Sequence, residues 1–333
     1  MTPVALAVGL LPVLLFLVAL LLLDSYKLVT RRAVLLTIAC GGAAALFAFG
    51  LNRALLDYGL DPALVKRYVA PAIEECLKAS IVIALIRAAR VGFMVDAGIH
   101  GFAAGAGFAL VENLYYAQTL GGSSLPVWIV RGLGTAIMHG STTAIVGIVT
   151  KDLSDRHVAG VFRAAWPGLA IAVVIHSLFN HFLLDPMISS AILVLVMPLL
   201  VIAVFDRSER ATRAWLGAGL DSDVELLEMI GSGEIQETHV GEYLESLKSR
   251  FPGPVVGDML CFLQIYLELS VRAKGVLIAR AAGVEVPIDS SVRANFEEMR
   301  FLERSVGPTG KIALLPFLRA SRRDLWQLTM LAK

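Results

Sequence analysis

Long apolar runs, separated by short charged stretches, fill the first two-thirds of the chain. A helix needs about 20 mostly apolar residues to cross the hydrocarbon core of a bilayer. Seven stretches answer that description: 3–23, 33–51, 68–86, 97–118, 127–150, 164–184 and 187–205. The first carries no charge, and it lacks both a basic leader and a small-residue cleavage site. It therefore reads as a retained span and not as a removed signal peptide. Residues 52–67 are long for a connection and read as a loop carrying an interfacial helix. After residue 205 the pattern changes. Ser222 followed by Glu225 and then Leu226, Leu227, Met229 and Ile230 has the spacing of a capping box that opens an amphipathic helix. Breaks are expected at 231–233 and 251–257. Residues 259–277 are apolar in part, but Glu268, Arg272 and Lys274 favour a buried bundle helix over an eighth span. No stretch alternates with the two-residue period of a half-buried strand. The expected fold is all-α: a polytopic transmembrane helix bundle of about seven spans over 1–205, then a cytoplasmic helical region over 206–333 with no assigned role.

Composition agrees with a membrane chain. Of 333 residues, 57 % are apolar and 17 % charged, against roughly 45–50 % and about 25 % in soluble proteins. Mean hydropathy is +0.73. These values exclude a soluble globular enzyme, a disordered chain and a nucleic-acid binder. The net charge of +1 points to no polyanionic partner. Charge is unevenly spread: residues 1–205 hold 13 basic and 10 acidic side chains, and 206–333 hold 16 and 18. Cys40, Cys76 and Cys261 form no CxxC pair, which argues against a disulfide framework or a thiolate zinc site.

Loop charges orient the bundle. One side carries 11 basic residues: Lys27, Arg31, Arg32, Arg87, Arg90, Lys151, Arg156, Arg163, Arg207, Arg210 and Arg213. The other carries 3, Arg53, Lys66 and Arg67. The positive-inside rule then puts the N-terminus outside and the C-terminus in the cytoplasm.

Within the spans lie side chains that a membrane does not tolerate cheaply. An ionised group at bilayer depth costs at least ~2.5–3.5 kcal/mol. Glu74, Glu75, Lys78, Glu112, His139 and His176 occupy the third to sixth spans. One such residue could merely glue helices through a hydrogen bond. Three carboxylates and two imidazoles on four spans point instead to a shared site. At a rise of about 1.5 Å per residue, Glu74 and Glu112 lie about 9 Å from the outer ends of their spans, His176 about 12 Å and His139 about 18 Å. Helices alternating in direction thus deliver these groups to one slab. Glu74 and Lys78, spaced i,i+4, can pair, and Glu75 points about 100° away from Glu74. His176 and Asn180 share a face, where an amide can serve an oxyanion or orient a water. Gly101–Gly105 is a GxxxG step that permits close helix approach. Arg131 reads as snorkelling, His100 as interfacial and His181 as facing elsewhere; His157 and His239 sit in polar stretches and carry no signal.

Four motifs now stand in order, one per span. Glu74-Glu75-Cys76-Leu77-Lys78 fits EExxK, and Phe108 through Glu112-Asn113 fits FxxxEN. His139 with Gly147 fits HxxxxxxxG, and His176 with Asn180 fits HxxxN. Over roughly residues 60–205 the chain resembles the PrsW family of bacterial intramembrane proteases, within a wider group that includes the CAAX prenyl endopeptidases. The latter typically have His where this chain has Glu112, which argues against a prenyl-protein substrate. The resemblance implies a multi-pass protein of the bacterial inner membrane that cleaves a single-span membrane protein, typically an anti-sigma factor, on the extracytoplasmic side.

Peptide hydrolysis needs an activated water, an oxyanion stabiliser and a proton donor for the leaving amine. Geometry and resemblance together favour Glu74 as the base, with Glu75 second. His139 and His176 would bind the water or oxyanion and supply protons, and Asn180 would assist at the oxyanion. Glu112 would orient an imidazole or join the water-binding set. Lys78 supports the base, and Phe108 and Asn113 flank Glu112. Zinc is open: Glu75, Glu112, His139 and His176 could supply ligands with one position left free. No HExxH pair lies on one helix, and the wider group looks like metal-free glutamate-dependent hydrolases. The expected partners are a membrane-protein substrate, the lipid bilayer and a regulatory protein at the cytoplasmic region. A proton- or ion-coupled transporter is the alternative reading, since intramembrane Glu, Lys and His also line ion paths. Neither an inverted repeat nor a pair of broken helices supports it. A non-catalytic scaffold is the third.

Overall fold

The computed structural model describes residues 3–119, 124–156, 160–287, 290–318 and 322–332, which leaves His157 outside. The described residues are helical and contain no strand. The chain divides into two compact units, Met1–Glu209 and Arg210–Lys333, and the division falls within one helix.

The first unit opens with α1 (Pro3–Leu23) and α2 (Arg31–Asp57). Thr30 caps α2 by accepting from the Ala33 N–H at 3.3 Å. The expected loop over 52–67 is mostly helix. α2 runs on to Asp57, and the chain turns in a few residues to Asp61, which accepts from the Ala63 and Leu64 N–H groups at 2.6 and 3.0 Å. With Pro62 next to that cap, the local chemistry for a helix start is complete. α3 (Pro62–Leu64) passes through a π-helical turn, Val65–Val69, into α4 (Ala70–Arg87). α5 (Met94–Thr119) follows, then α6 (Leu125–Ile129), which passes through a second π turn, Val130–Thr135, into α7 (Ala136–Arg156). α8 (Val161–Asn180) and the start of α9 (Pro186–Ser232) complete the unit.

α5 is the central post, with every residue from Met94 to Ala109 buried. Small residues allow this. A Cβ on Gly105 would collide with the carbonyl oxygen of His139, and one on Gly107 with that of Ile38. The Gly101–Gly105 step therefore seats α5 directly on α7, and Gly107 seats it on α2, at backbone contact. His100 is accordingly buried, not interfacial, and its Nδ1 lies 3.0 Å from Thr37 Oγ1.

Seven helices among the described residues are long and apolar enough to cross a membrane: α1, α2, α5, the Leu125–Arg156 stretch, α8, α9 and α11 (Gly253–Ala281). α4 fails that measure because of its own charges, yet it packs on α2, α5, α7 and α8 inside the same bundle.

In the second unit α9 continues unbroken through Ser222, so no helix opens there as the capping-box spacing suggested. Helical hydrogen bonding from the preceding turn leaves that serine no role as a cap. The helix stops where Gly233 adopts φ 81°, a left-handed turn that glycine takes at no steric cost. α10 (His239–Leu247), α11, α12 (Ser290–Leu314) and α13 (Arg322–Leu331) follow. α11 packs on α10, α12 and α13, and its buried Lys274 bonds Asp223, the Gly219 carbonyl and Ser270.

Backbone contact at Gly105 generates a test. Gly105→Ala is expected to destabilise the bundle by about 1–3 kcal/mol, the range for overpacking, read as a lower thermal midpoint in detergent. Gly217→Ala, whose Cβ meets nothing within 4 Å, should hold or slightly raise it.

Candidate active site

The C-terminal parts of α2, α5 and α8 and the N-terminal parts of α4 and α7 meet at one end of the bundle. They bring Glu74, Glu75, Lys78, Glu112, His139 and His176 into a single polar cluster.

Lys78 is its hub. The ammonium, fully buried, donates to Glu75 Oε1 at 2.6 Å and to His139 Nδ1 at 2.9 Å. It does not pair with Glu74, the i,i+4 partner that spacing suggested; Glu75 at i,i+3 takes it, because His139 reaches the cluster on that side. Glu75 Oε1 also accepts from His176 Nδ1 at 2.8 Å and from Thr142 Oγ1 at 3.2 Å. An ammonium can only donate, so His139 carries its proton on Nε2, which donates to Glu112 Oε2 at 3.2 Å. A carboxylate can only accept, so His176 carries its proton on Nδ1. Its Nε2 lone pair is left facing Glu74 Oε2 at 3.8 Å. The two imidazoles stand edge to face with ring centres 4.8 Å apart. Phe108 walls the cluster, its ring centre 5.0 Å from that of His139 and 5.0 Å from Lys78 Nζ.

Glu112 has a second partner. Arg131 Nη2 lies 3.1 Å from its Oε2, with the guanidinium stacked 3.8 Å over the Tyr116 ring. Arg131 Nε donates to Asn113 Oδ1 at 2.9 Å, and the Asn113 amide donates to the Gly9 carbonyl at 2.7 Å. Arg131 is thus held inward and does not snorkel: the Glu112 carboxylate and the Tyr116 face offer its charge a better place than the interface.

Asn180 stays outside the cluster. Its Nδ2 donates to the Lys66 carbonyl at 3.1 Å, and Ser177 Oγ donates to the Arg67 carbonyl at 2.6 Å. Pro71 brings no N–H to the π turn below it, so these carbonyls need outside donors. The amide that its spacing assigned to an oxyanion instead ties α8 to the turn leading into Glu74. His181 is likewise engaged, with the Ser177 carbonyl and the Tyr68 hydroxyl.

Sequence reading passed over three contributors. Thr142, one turn after His139, supports Glu75. Arg131 supports Glu112. Asn52 Nδ2 donates to Glu74 Oε1 at 3.2 Å. An amide in the last turns of an otherwise apolar span was the available signal for Asn52, hidden by reading 52–67 as a loop.

A profile described as the PrsW family of intramembrane metalloproteases matches residues 29–205. This chain belongs to that family. It is a membrane-embedded protease, with a membrane-protein substrate and the bilayer as its partners. No curated protein and no solved structure matches it.

The family implies a metal, and the residues fit one. Glu74, His139 and His176 each offer a ligand atom, all within 4.8 Å of one another, and all three residues are buried; His139 would offer its Nε2 only with the proton there released. Two imidazoles and a carboxylate are a zinc donor set with one position left over. Glu75 stands behind His176 as a carboxylate does behind a ligating imidazole, and its own Oε2 is buried with no hydrogen-bond partner among the described residues. The convergent carboxylate is Glu74; Glu75 sits one layer back, and Glu112 is held by Arg131.

Removing one partner of a buried ion pair strands the other charge. Lys78→Met is expected to cost about 3–5 kcal/mol, measured by unfolding in mixed micelles. Adding Glu75→Leu to it should recover a large part.

Proposed function

We propose that the protein sits in the bacterial inner (cell) membrane with its N-terminus outside and its C-terminus in the cytoplasm. There it cleaves a single-span, anti-sigma-factor-like membrane protein near the extracytoplasmic side. The observation that carries this reading is the convergence of Glu74, His139 and His176 from three helices of a lipid-facing bundle. The side is supported by the loop charges, which put 11 basic residues opposite the cluster's end and 3 near it.

In this reading the corner between Glu74 Oε2 and His176 Nε2 holds the attacking water, and Glu74 takes its proton. Glu74 is supported over Glu75 because Glu75 Oε1 already serves three donors, whereas among the described residues Glu74 is bonded by Asn52 alone, on one oxygen. The water oxygen bonds to the scissile carbonyl carbon, and His139 Nε2–H, now given to Glu112, turns to the resulting oxyanion. As the C–N bond breaks, the proton on Glu74 passes to the leaving amine. Glu74, His139 and His176 would hold zinc only with the His139 Nε2 proton released, and Lewis acidity at the water and the carbonyl would then replace the donation from that N–H. Glu75, Lys78 and Thr142 hold the imidazoles in place; Asn113 and Arg131 do so for Glu112. Asn180 holds the helix that bears His176. Residues 206–333 form a cytoplasmic helical domain that binds a regulatory partner.

Purified protein in proteoliposomes with a single-span reporter tests this. The wild type should cleave, and Glu74→Gln, His139→Ala and His176→Ala should each lower the rate by about 10²–10⁴. Asn180→Ala should lower it less. Bound zinc, lost with activity on chelation and regained on adding zinc, establishes the metal; full activity without metal removes it. Ion flux without cleavage, abolished by Glu74→Gln, would overturn the protease assignment of this cluster.

A further inference from the structure

Asn52 belongs to none of the four motifs, yet among the described residues it is the one side chain that hydrogen-bonds Glu74. It stands near the end of α2, a helix whose position is set at backbone contact: a Cβ on Gly41 would strike the Ala104 carbonyl, just as one on Gly107 would strike that of Ile38. The amide is therefore mounted on a rigid pair of helices and not on a loop. A carboxylate only accepts, so the nitrogen end must face Glu74 and the oxygen end must point away. That oxygen, Oδ1, is buried and has no hydrogen-bond partner among the described residues. A buried acceptor left unpaired is a standing cost to the folded state. The cost is relieved if the working complex brings a donor. A peptide substrate carries one N–H per residue, and the scissile segment must lie beside Glu74.

We propose that Asn52 is a two-ended residue: its Nδ2–H orients the Glu74 carboxylate, and its Oδ1 accepts a backbone N–H of the bound peptide. Fixing Oε1 of Glu74 leaves Oε2 turned to His176 Nε2. Anchoring the peptide to the same amide registers its carbonyl against that oxygen. The proposal rests on the protease reading of this cluster.

Two near-isosteric variants separate the two ends. Asn52→Asp keeps an acceptor and replaces the amide donor with a second carboxyl, which shares a proton with Glu74 and so takes away its free base. With the single-span reporter, its kcat should fall about 10–100-fold, while KM stays within about twofold. Asn52→Leu loses both ends, so kcat should fall similarly and KM should rise about five- to tenfold, the worth of one hydrogen bond. Asn52→Gln should recover part of kcat. Wild-type kcat in Asn52→Asp overturns the orienting role, and unchanged KM in Asn52→Leu overturns the peptide contact. Loss of folded protein in either variant is judged against Asn52→Gln, whose failure to recover any kcat while folded would also overturn the assignment. A wild type that does not cleave is a different result: it removes the protease reading, and this assignment with it.

Discussion

A buried ammonium governs this active end. Lys78 has no access to water, so it can exist there only with its charge balanced and its protons placed. Glu75 balances the charge, and His139 Nδ1 accepts a second N–H of the ammonium. Those two contacts then propagate. Glu75, held by Lys78, can accept from His176 and so decides which nitrogen of that ring carries hydrogen. His139, fixed at Nδ1, must present Nε2–H towards Glu112. From Arg131 through Glu112, His139, Lys78 and Glu75 to His176, each group's orientation follows from the previous one's chemistry. A polar chain of this kind, buried from His139 to His176 and half-buried at Arg131 and Glu112, is rigid because a broken link strands a desolvated group.

Backbone geometry supplies the second constraint. Both helices that enter the cluster at their N-terminal parts, α4 and α7, do so through a π turn. Such a turn inserts one extra residue into the helical repeat, rotating everything after it relative to everything before. It also leaves carbonyls that the helix cannot satisfy. On α4 the Arg67 and Lys66 carbonyls receive Ser177 Oγ and Asn180 Nδ2 from α8; on the other stretch the Arg131 carbonyl, already bonded by the Ala136 N–H, receives Asn113 Nδ2 as well, at 3.4 Å. Irregular backbone inside a membrane bundle is tolerated only where neighbours satisfy it, and here the neighbours are motif residues. Two of the four motifs thus each lend an asparagine, Asn113 and Asn180, to the shape of the helices that carry the rest.

The family match covers 29–205 and stops short of the second unit, Arg210–Lys333. That unit has a polar knot of its own, in which Lys274, Asp223, Ser270 and Gln327 are buried together. It is built from the same physical element as the protease end, a lysine made tolerable by a carboxylate, without any cluster of convergent ligand atoms among the described residues.

The chain's own order of residues determined the all-α membrane bundle, the four motifs and the set of polar side chains that had to be gathered. The reason is cost: charges in apolar helices are too expensive to be scattered, and their depths along alternating helices already agreed. Small residues at 101 and 105 likewise announced a tight helix pair, and Gly105 meets the backbone of His139. Partner choice was decided only in three dimensions. Lys78 lies within reach of both Glu74 and Glu75 by helical spacing, and the arrival of His139 from α7 selects Glu75. Asn180 shares a face with His176, but that face also meets the π turn, whose carbonyls claim the amide. Arg131 turns inward because Glu112 and Tyr116 wait there. Asn52 reaches Glu74 because α2 continues as helix where its polarity suggested a loop. Helical periodicity fixes which direction a side chain points; which group it meets there depends on how closely the neighbouring helices can approach.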